Sequence, residues 1–245
     1  MSTPPMYANL TALDREQHKK LRLKLDAPVL ERVAELNSLF LATVEFADAC
    51  KEFPIVFVRV GTPVEGQPQA VAPLAVLGLK PGSNLFLKDS KWTGNYLPAY
   101  ARRYPFAMAR ISDDGQDMAM CFDAEWKGFS ETEGSSLFAD DGQPSEFLAN
   151  AKSFVEQFEM ESERTRMACV KLVELDLLQD MRFEAQLGNG EKIDVEGFLT
   201  VNEKKLAELE DAKVVELHRN GLLSLLEMHR LSLSNMSRLA SQYQG

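Results

Sequence analysis

The segment from Tyr96 to Phe106 holds the residues best suited to recognition chemistry. It contains three tyrosines, two adjacent arginines and two prolines within eleven residues. Arginine forks bind carboxylates and phosphates through paired hydrogen bonds, and tyrosine rings stack on a ligand or flank it. We therefore predict an anionic or aromatic recognition site in this region. The residues predicted to bind the ligand are Trp92, Tyr96, Tyr100, Arg102, Arg103, Tyr104 and His229.

A structural interpretation of the same residues stays open. In it, Arg102 and Arg103 pair with some of the 37 acidic side chains in a buried cluster. His229 lies on an apolar stripe near the end of the chain, where a hydrogen-bonded core histidine is the alternative to a functional one. Arg103→Lys separates the two interpretations, because it weakens binding if the arginine holds a ligand and lowers stability if the arginine is a buried partner.

Patterns typical of catalysis or metal binding do not accompany this segment. The three histidines are far apart and form no HxH, HxxxH or HExxH arrangement, and the three cysteines form no CxxC pair. Asp113-Asp114 and Asp140-Asp141 each precede a glycine, which is typical of turns. We predict buried free thiols, no metal, no cofactor and no catalytic residue.

The charge balance argues against two classes of partner. With 27 basic and 37 acidic residues the formal net charge is -10, which repels nucleic acid and anionic lipid. The apolar runs are too short to span a bilayer, and the first residues lack the pattern of a signal peptide. We predict a cytoplasmic protein with no membrane insertion and no nucleic-acid partner.

The elements that must position the recognition residues begin with a strand-rich half, about residues 1–135. Pro98 and Pro105 bracket about two helical turns, and Pro54 ends a predicted short helix at Glu45–Phe53. The run Asp113-Asp114-Gly115 predicts a hairpin turn. Strands are predicted at Leu21–Leu25, Phe40–Val44, Ile55–Val60, Ala70–Leu77, Ala107–Ile111 and Asp117–Phe122.

The remaining residues, about 136–245, are predicted to be rich in helix. A helix begins after Pro144, and the polar interval Glu161–Arg166 either breaks it or exposes one face. Alternation from Met181 to Leu187, followed by Gly188-Asn189-Gly190, predicts a late hairpin before a helical end. The apolar residues at helical spacing after Pro144 are Phe147, Leu148, Ala151, Phe154, Val155 and Phe158.

The predicted fold class is α+β, with an irregular, mainly antiparallel sheet packed against the C-terminal helices. No repeat of 20 to 50 residues is visible in the sequence, so a solenoid or propeller is not expected. We predict a single domain over residues 1–245, divided into the strand-rich and helix-rich halves described above.

Several segments, in order, resemble the SapC family, and the resemblance runs from about Asn9 to Leu239. Phe53 stands where the family pattern suggests a tyrosine, so a phenol has no role there while packing remains. The resembling segments are Glu45–Phe57, Leu77–Leu87, Tyr96–Phe106, Leu137–Pro144, Gly197–Val201 and His229–Asn235. The resemblance implies a bacterial cytosolic accessory protein, linked to surface-layer, outer-membrane-receptor or halogenase-associated systems.

Two functional hypotheses from different classes follow from the residues. The first is a non-enzymatic adaptor that binds a peptide or protein partner through the aromatic and arginine segment. The alternative is an uncharacterised enzyme or enzyme subunit that acts on an anionic or aromatic small molecule with Arg102, Arg103 and His229. A purely structural oligomer is a third hypothesis, and the sequence leaves the oligomeric state open.

Overall fold

The structure is a computed structural model that describes residues 4–24, 29–110, 118–187 and 189–243. The strands are β1 Leu10–Ala12, β2 Arg22–Leu23, β3 Ser38–Phe40, β4 Ile55–Arg59, β5 Val71–Val76, β6 Leu87–Lys88, β7 Lys91–Trp92, β8 Phe106–Arg110, β9 Met118–Asp123, β10 Phe129–Ser130, β11 Ser135–Ser136, β12 Leu178–Gln186 and β13 Lys192–Val201. The helices are α1 Phe46–Ala49, α2 Ala99–Arg102, α3 Glu146–Glu174, α4 Glu203–Ala207, α5 Asp211–Arg219, α6 Leu222–Ser232 and α7 Asn235–Gln242, with 3₁₀ helices at Val29–Val33 and Thr43–Glu45.

The fold class is α+β, as predicted. The strands form several small antiparallel sheets, and the last part of the chain is helical. The chain divides into two compact units, Met1–Ala34 with Tyr100–Met160 and Glu35–Ala99 with Glu161–Gly245. The single-domain organisation stays a prediction. Among the described residues, none of the helices has the length and apolar character needed to cross a membrane.

The first unit is built around two three-stranded sheets. One sheet has the order β1-β9-β8, and the other has the order β10-β2-β11. In the first sheet Phe106 on β8 lies opposite Phe122 on β9, which places two aromatic side chains on one face. The predicted strands on both sides of the Asp113-Asp114-Gly115 turn are confirmed. The turn itself lies outside the described residues.

Aromatic rings fill the core of the first unit. Phe129 packs edge-on against Phe122 and Trp126, with ring centroids 5.0 and 5.2 Å apart. Tyr104 also packs edge-on against Trp126, at 5.7 Å. Edge-to-face contacts of this kind add stability beyond simple burial. The rings therefore hold the residues around Tyr104 in one arrangement.

The second unit contains a five-stranded antiparallel sheet in the order β12-β13-β4-β5-β3. The first three residues of β4 are buried, and every second residue of β5 is buried. These two neighbouring strands therefore form the middle of the core. The late hairpin is confirmed as β12 and β13. Two residues of β13, Glu196 and Gly197, lie opposite Arg182 alone, and Gly197 has a φ of 85° that glycine adopts without strain.

The predicted strand Phe40–Val44 is wrong beyond Phe40, where β3 ends. Thr43–Glu45 forms a 3₁₀ helix instead, because side chains rather than a neighbouring strand satisfy its backbone. The Glu45 carboxylate accepts the N–H of Ala42 at 2.8 Å, and the Thr165 hydroxyl accepts the N–H of Thr43 at 2.9 Å. These local hydrogen bonds compete with strand pairing.

Two predicted helices are shorter than expected. The helix predicted over Glu45–Phe53 covers only Phe46–Ala49. The two turns predicted between Pro98 and Pro105 form one turn, Ala99–Arg102. A residue that precedes a proline avoids the helical conformation, so α2 ends before Tyr104.

The polar interval Glu161–Arg166 does not break the helix that begins after Pro144. Helix α3 runs continuously from Glu146 to Glu174. Ion pairs between residues three apart, Arg164 with Glu161 and Arg166 with Glu163, follow the helical spacing at 2.6 Å. The interval therefore exposes one helix face, which is the second of the two predicted alternatives.

Candidate ligand-binding pocket

The two adjacent arginines of the recognition segment point in different directions. They lie at the end of α2, where successive side chains of a helical turn are about 100° apart. Arg103 is buried, with 7% of its surface exposed, whereas Arg102 is exposed. The local backbone geometry thus gives two neighbouring residues of the same type different surroundings.

Arg103 is enclosed by aromatic rings. Its guanidinium carbon lies 4.4 Å from the ring centres of both Tyr100 and Phe158, and 5.7 Å from that of Tyr7. Its Nη1 donates a hydrogen bond to Oε1 of Glu159 at 3.0 Å. A planar cation between ring faces and paired with a carboxylate is strongly stabilised, because few water molecules compete for it.

The Arg103 cluster has two further electrostatic features. Burial raises the pKa of the Glu159 carboxyl above its ordinary value, and attraction to Arg103 opposes this rise without cancelling it. Within the described residues, the buried Nε of Arg103 has no hydrogen-bond partner. One donor of this cation is therefore unsatisfied in a site where burial makes an unsatisfied donor costly.

Arg102 stands at a pocket with a volume of 370 Å³ in the first unit. Its guanidinium carbon lies 5.3 Å from the ring centre of Phe154 on α3. Lys24, which also lines the pocket, forms an ion pair with Glu133 at 2.6 Å. The full lining comprises Leu23, Lys24, Arg102, Arg103, Tyr104, Pro105, Phe106, Trp126, Phe147, Asn150, Ala151 and Phe154.

The pocket combines aromatic walls with cationic groups. The aromatic lining residues include Trp126, Phe147 and Phe154, while three of the lining residues carry positive charge and none of the described lining residues is acidic. This composition suits a ligand with an aromatic or apolar body and a carboxylate or phosphate group. Five of the twelve lining residues come from the Tyr96–Phe106 segment, and the recognition role predicted for that segment stays a prediction.

Tyr104 is anchored on the buried Asp123. Its hydroxyl donates to Oδ2 of Asp123 at 2.8 Å, and the N–H groups of Ala8 and Asn9 donate to the same carboxylate at 3.1 and 3.0 Å. Burial alone raises the pKa of Asp123, but these hydrogen bonds outweigh burial and hold it below the ordinary value. Asp123 is therefore an ionised acceptor that fixes Tyr104 at the pocket wall.

Trp92 and Tyr96 belong to a separate cluster in the second unit. The Trp92 ring nitrogen donates to the Tyr96 carbonyl at 2.8 Å, and the Trp92 ring stacks on Phe86 at 5.6 Å. The Tyr96 hydroxyl donates to Oε1 of the buried Glu45 at 2.8 Å, and the Ala99 N–H donates to the same oxygen at 2.7 Å. Their ligand-binding role stays a prediction.

His229 lies in the core of the second unit. It is fully buried, its Nε2 accepts the Val201 N–H at 3.1 Å, and its ring centre lies 5.1 Å from that of Phe57. Burial lowers the pKa of His229 to about 4, so the ring is neutral at pH 7. Within the described part of the chain, its buried Nδ1 has no hydrogen-bond partner.

The structure brings together part of the predicted set. Arg102, Arg103 and Tyr104 line one pocket, and Tyr100 packs against Arg103. Sequence reasoning missed Lys24 and Trp126 as lining residues, because no local pattern connects them to the Tyr96–Phe106 segment. The phenylalanines at helical spacing after Pro144 did point to the α3 side of the pocket. An apolar stripe on one helix face indicates a face that packs against other residues or a ligand.

The described residues hold no group of three or more histidine, cysteine, aspartate or glutamate side chains arranged for a metal ion. All three cysteines are free thiols. Cys121 and Cys169 are buried, as predicted, whereas Cys50 is half-buried, so the prediction of a buried thiol is wrong at Cys50. Burial raises the pKa of the Cys169 thiol to about 12, so this sulfur is not a reactive thiolate at neutral pH.

Comparison with known proteins gives one match. The SapC family model matches residues 13–239 of the 245 residues, which is nearly the whole chain. No curated protein and no solved structure is significantly similar to this chain.

Proposed function

The chain belongs to the SapC family, and on that premise we propose that it is a non-enzymatic cytosolic accessory or adaptor protein that binds a peptide or protein partner. The pocket between α2 and the first half of α3 carries this proposal. It joins an exposed arginine, a half-buried phenylalanine stripe and Trp126 around 370 Å³ of space. An aromatic anchor beside an acidic group is the kind of peptide feature that such a pocket holds.

The ligand class follows from the lining. A large aromatic side chain fills the space between Trp126, Phe147 and Phe154. Arg102 then receives a neighbouring carboxylate, supplied by an aspartate, a glutamate or a free C-terminus. Arg103 is already paired with Glu159 and stabilises the pocket wall from behind. In this proposal Arg102 contacts the ligand and Arg103 supports the pocket wall, and neither role requires a chemical step.

Tryptophan fluorescence gives a direct test. The chain has two tryptophans, and only Trp126 lines the pocket. In a Trp92→Phe background the emission therefore reports on the pocket alone. Peptides selected from a random library on this variant should combine an aromatic residue with an adjacent carboxylate, and their titration should change the Trp126 emission.

Two pocket variants and one control make the test specific. Ala151→Phe fills the pocket from α3 without adding a tryptophan, and Arg102→Glu reverses the charge at its edge. Each should weaken peptide binding by about tenfold or more. Arg219→Glu makes the same charge change on the exposed end of α5 and should leave affinity unchanged. Selected peptides that bind the Ala151→Phe variant as tightly as the parent would refute the pocket as their site.

The pocket volume also supports a second candidate function, binding of a small anionic aromatic molecule. A volume of 370 Å³ falls within the range of small-molecule sites. Calorimetric titration with aromatic carboxylates distinguishes the two candidates. Binding of the free small molecule at micromolar concentration, with no gain from peptide flanks, would favour the second candidate over the adaptor.

A further inference from the structure

Strand β12 forms an open edge of the five-stranded sheet. It is the terminal strand in the order β12-β13-β4-β5-β3 and is nine residues long. Its ladder joins it to β13, and no hydrogen bond among the described residues reaches its other side. An unpaired strand edge presents a row of backbone donors and acceptors that matches another strand.

The residues that face outward can be identified from the hydrogen bonds at the two ends of the hairpin. Leu177 accepts from the Asn202 N–H at 2.8 Å, and the Leu187 N–H donates to the Glu191 carbonyl at 2.7 Å. Hydrogen-bonded and outward-facing positions alternate along an antiparallel strand. The odd-numbered residues of β12 therefore bond to β13, and the backbone groups of the even-numbered residues point away from the sheet.

Some of the usual protections against pairing are missing from this edge, although three charged side chains remain on it. β12 contains no proline and no lysine. The bulge of the hairpin lies in β13, where Glu196 and Gly197 face one residue, so β12 keeps its regular alternation. Asp180, Arg182 and Glu184 are exposed, with 72%, 58% and 69% of their side-chain surfaces accessible. Their signs alternate along the strand, which is suited to pairing with an oppositely charged row.

The strand is charge-complementary to itself in the antiparallel direction. When a two-fold axis passes at Phe183, Arg182 of each chain lies opposite Glu184 of the other, and the two Phe183 side chains meet. An axis at Arg182 or at Glu184 would instead oppose like charges. Arg182 already binds Asp194 and Glu184 of its own chain, so either charge-paired register requires it to share those contacts. An axis at Met181 would in addition need Asp180, which already binds Arg59 at 2.6 and 3.0 Å.

We propose that the outer edge of β12 binds β12 of a second copy of this chain, antiparallel and centred on Phe183, to form a continuous ten-stranded sheet. Four charged side chains make two reciprocal Arg182–Glu184 pairs across the two-fold axis. Backbone hydrogen bonds of the outward-facing even-numbered residues supply the remaining contact. This interface is independent of the proposed pocket function, since it uses neither α2 nor the residues that line the pocket.

Two complementary charge variants test the register. Arg182→Glu alone and Glu184→Arg alone each oppose like charges twice in a self-pair, so each should raise the dimer Kd by about tenfold or more. In an equimolar mixture of the two variants, the carboxylates of one chain face the guanidinium groups of the other. The mixture should therefore recover a dimer, measured by light scattering coupled to size exclusion from micromolar to near-millimolar concentration.

A backbone variant and a control complete the experiment. Glu184→Pro removes an outward-facing N–H without removing a bond to β13, so it should give a monomer with unchanged circular dichroism. Arg219→Glu, with the same charge change on α5, should stay dimeric. A wild-type chain that is monomeric throughout this range overturns the proposal. A Glu184→Pro variant that is still dimeric overturns it as well. So does an equimolar mixture of the Arg182→Glu and Glu184→Arg variants that forms no dimer.

Discussion

At the scale of single residues, adjacent arginines differ in what they contact. Arg102 is exposed near Phe154, while Arg103 lies between two aromatic rings and binds Glu159. The geometry of Arg103 is that of a buried structural partner, which is one of the two interpretations of the sequence. Its predicted ligand-binding role requires a ligand to compete with an existing ion pair.

The two arginines should therefore respond differently to lysine. Lysine has no planar fork to pack between Tyr100 and Phe158, so Arg103→Lys should lower the free energy of unfolding by about 1–3 kcal/mol. Arg102→Lys should leave stability nearly unchanged and weaken peptide binding. Urea unfolding and Trp126 fluorescence, measured on the same preparation, check both. An unchanged stability with lost binding in Arg103→Lys would instead identify Arg103 as a ligand contact.

His229 should make the stability of the protein depend on pH. The pKa of His229 is about 4 in the folded chain, compared with 6.5 for an ordinary, solvent-exposed histidine side chain. The unfolded chain binds the proton more tightly, so stability is fully present above pH 6.5 and falls as the pH drops from 6.5 towards 4. The loss attributable to this residue is about 3 kcal/mol at most. Urea unfolding in a pH series measures it.

The matched variant for this series is His229→Gln. Its side-chain oxygen can accept the Val201 N–H, but glutamine does not titrate, so the decline between pH 6.5 and 4 should become shallower. The exposed His218 provides a control, because His218→Gln should leave the slope unchanged. Identical slopes in the wild type and His229→Gln would contradict a neutral, buried His229.

At the scale of elements, the long helix and the 3₁₀ helix of the second unit are joined by a buried threonine. Thr165 is 1% exposed, and its hydroxyl accepts the Thr43 N–H at 2.9 Å while donating to the Glu161 carbonyl at 2.7 Å. This pair of bonds explains how a polar residue occupies the inner face of α3. The hydrogen bond to Thr43 also stabilises the 3₁₀ helix that follows β3 in place of the predicted strand.

Removing this hydroxyl should destabilise the connection. Thr165→Val keeps the size and the β-branch but leaves the Thr43 N–H without an acceptor, and we expect a loss of about 1–3 kcal/mol in the free energy of unfolding. Thr165→Ser keeps the hydroxyl and should retain most of the stability. Chemical denaturation compares the three chains. A Val variant as stable as the Ser variant would show that the hydroxyl contributes little.

At the scale of the whole molecule, the charge balance determines which surfaces the protein approaches. The net charge of -10 opposes association with anionic lipid, and the described ion pairs are mostly on the surface, where each contributes little to stability. The local cationic group at the pocket is thus a small exception on an acidic chain. It suits a compact anionic ligand better than an extended polyanion.

We expect the purified protein to bind poorly to anionic vesicles and to double-stranded DNA at moderate salt. Long-range repulsion from the excess of acidic residues opposes both contacts. Co-sedimentation with phosphatidylserine vesicles and a gel-shift assay with DNA measure this, with neutral vesicles as the reference. Robust sedimentation that weakens as salt is added would reveal a basic surface and contradict the expectation.

The sequence by itself determined the features that depend on local spacing and composition. Phenylalanines at helical spacing after Pro144 predicted α3, and the alternation on both sides of Gly188-Asn189-Gly190 predicted the β12–β13 hairpin. Local backbone preferences and burial periodicity are encoded by neighbours in the chain, so both are readable without contacts. The residue types of the Tyr96–Phe106 segment and the resemblance to the family could likewise be recognised from the sequence alone.

Tertiary structure alone decided which of those residues share a site. Tyr96 and Tyr104 look equivalent in the sequence, yet the first binds Glu45 and the second binds Asp123 in a different unit. Lys24 and Trp126 join the pocket only because the chain folds back on itself. The end of β3 at Phe40 depends likewise on Thr165, a distant residue. Long-range contacts of this kind are set by packing and by the satisfaction of buried polar groups, which no local pattern specifies.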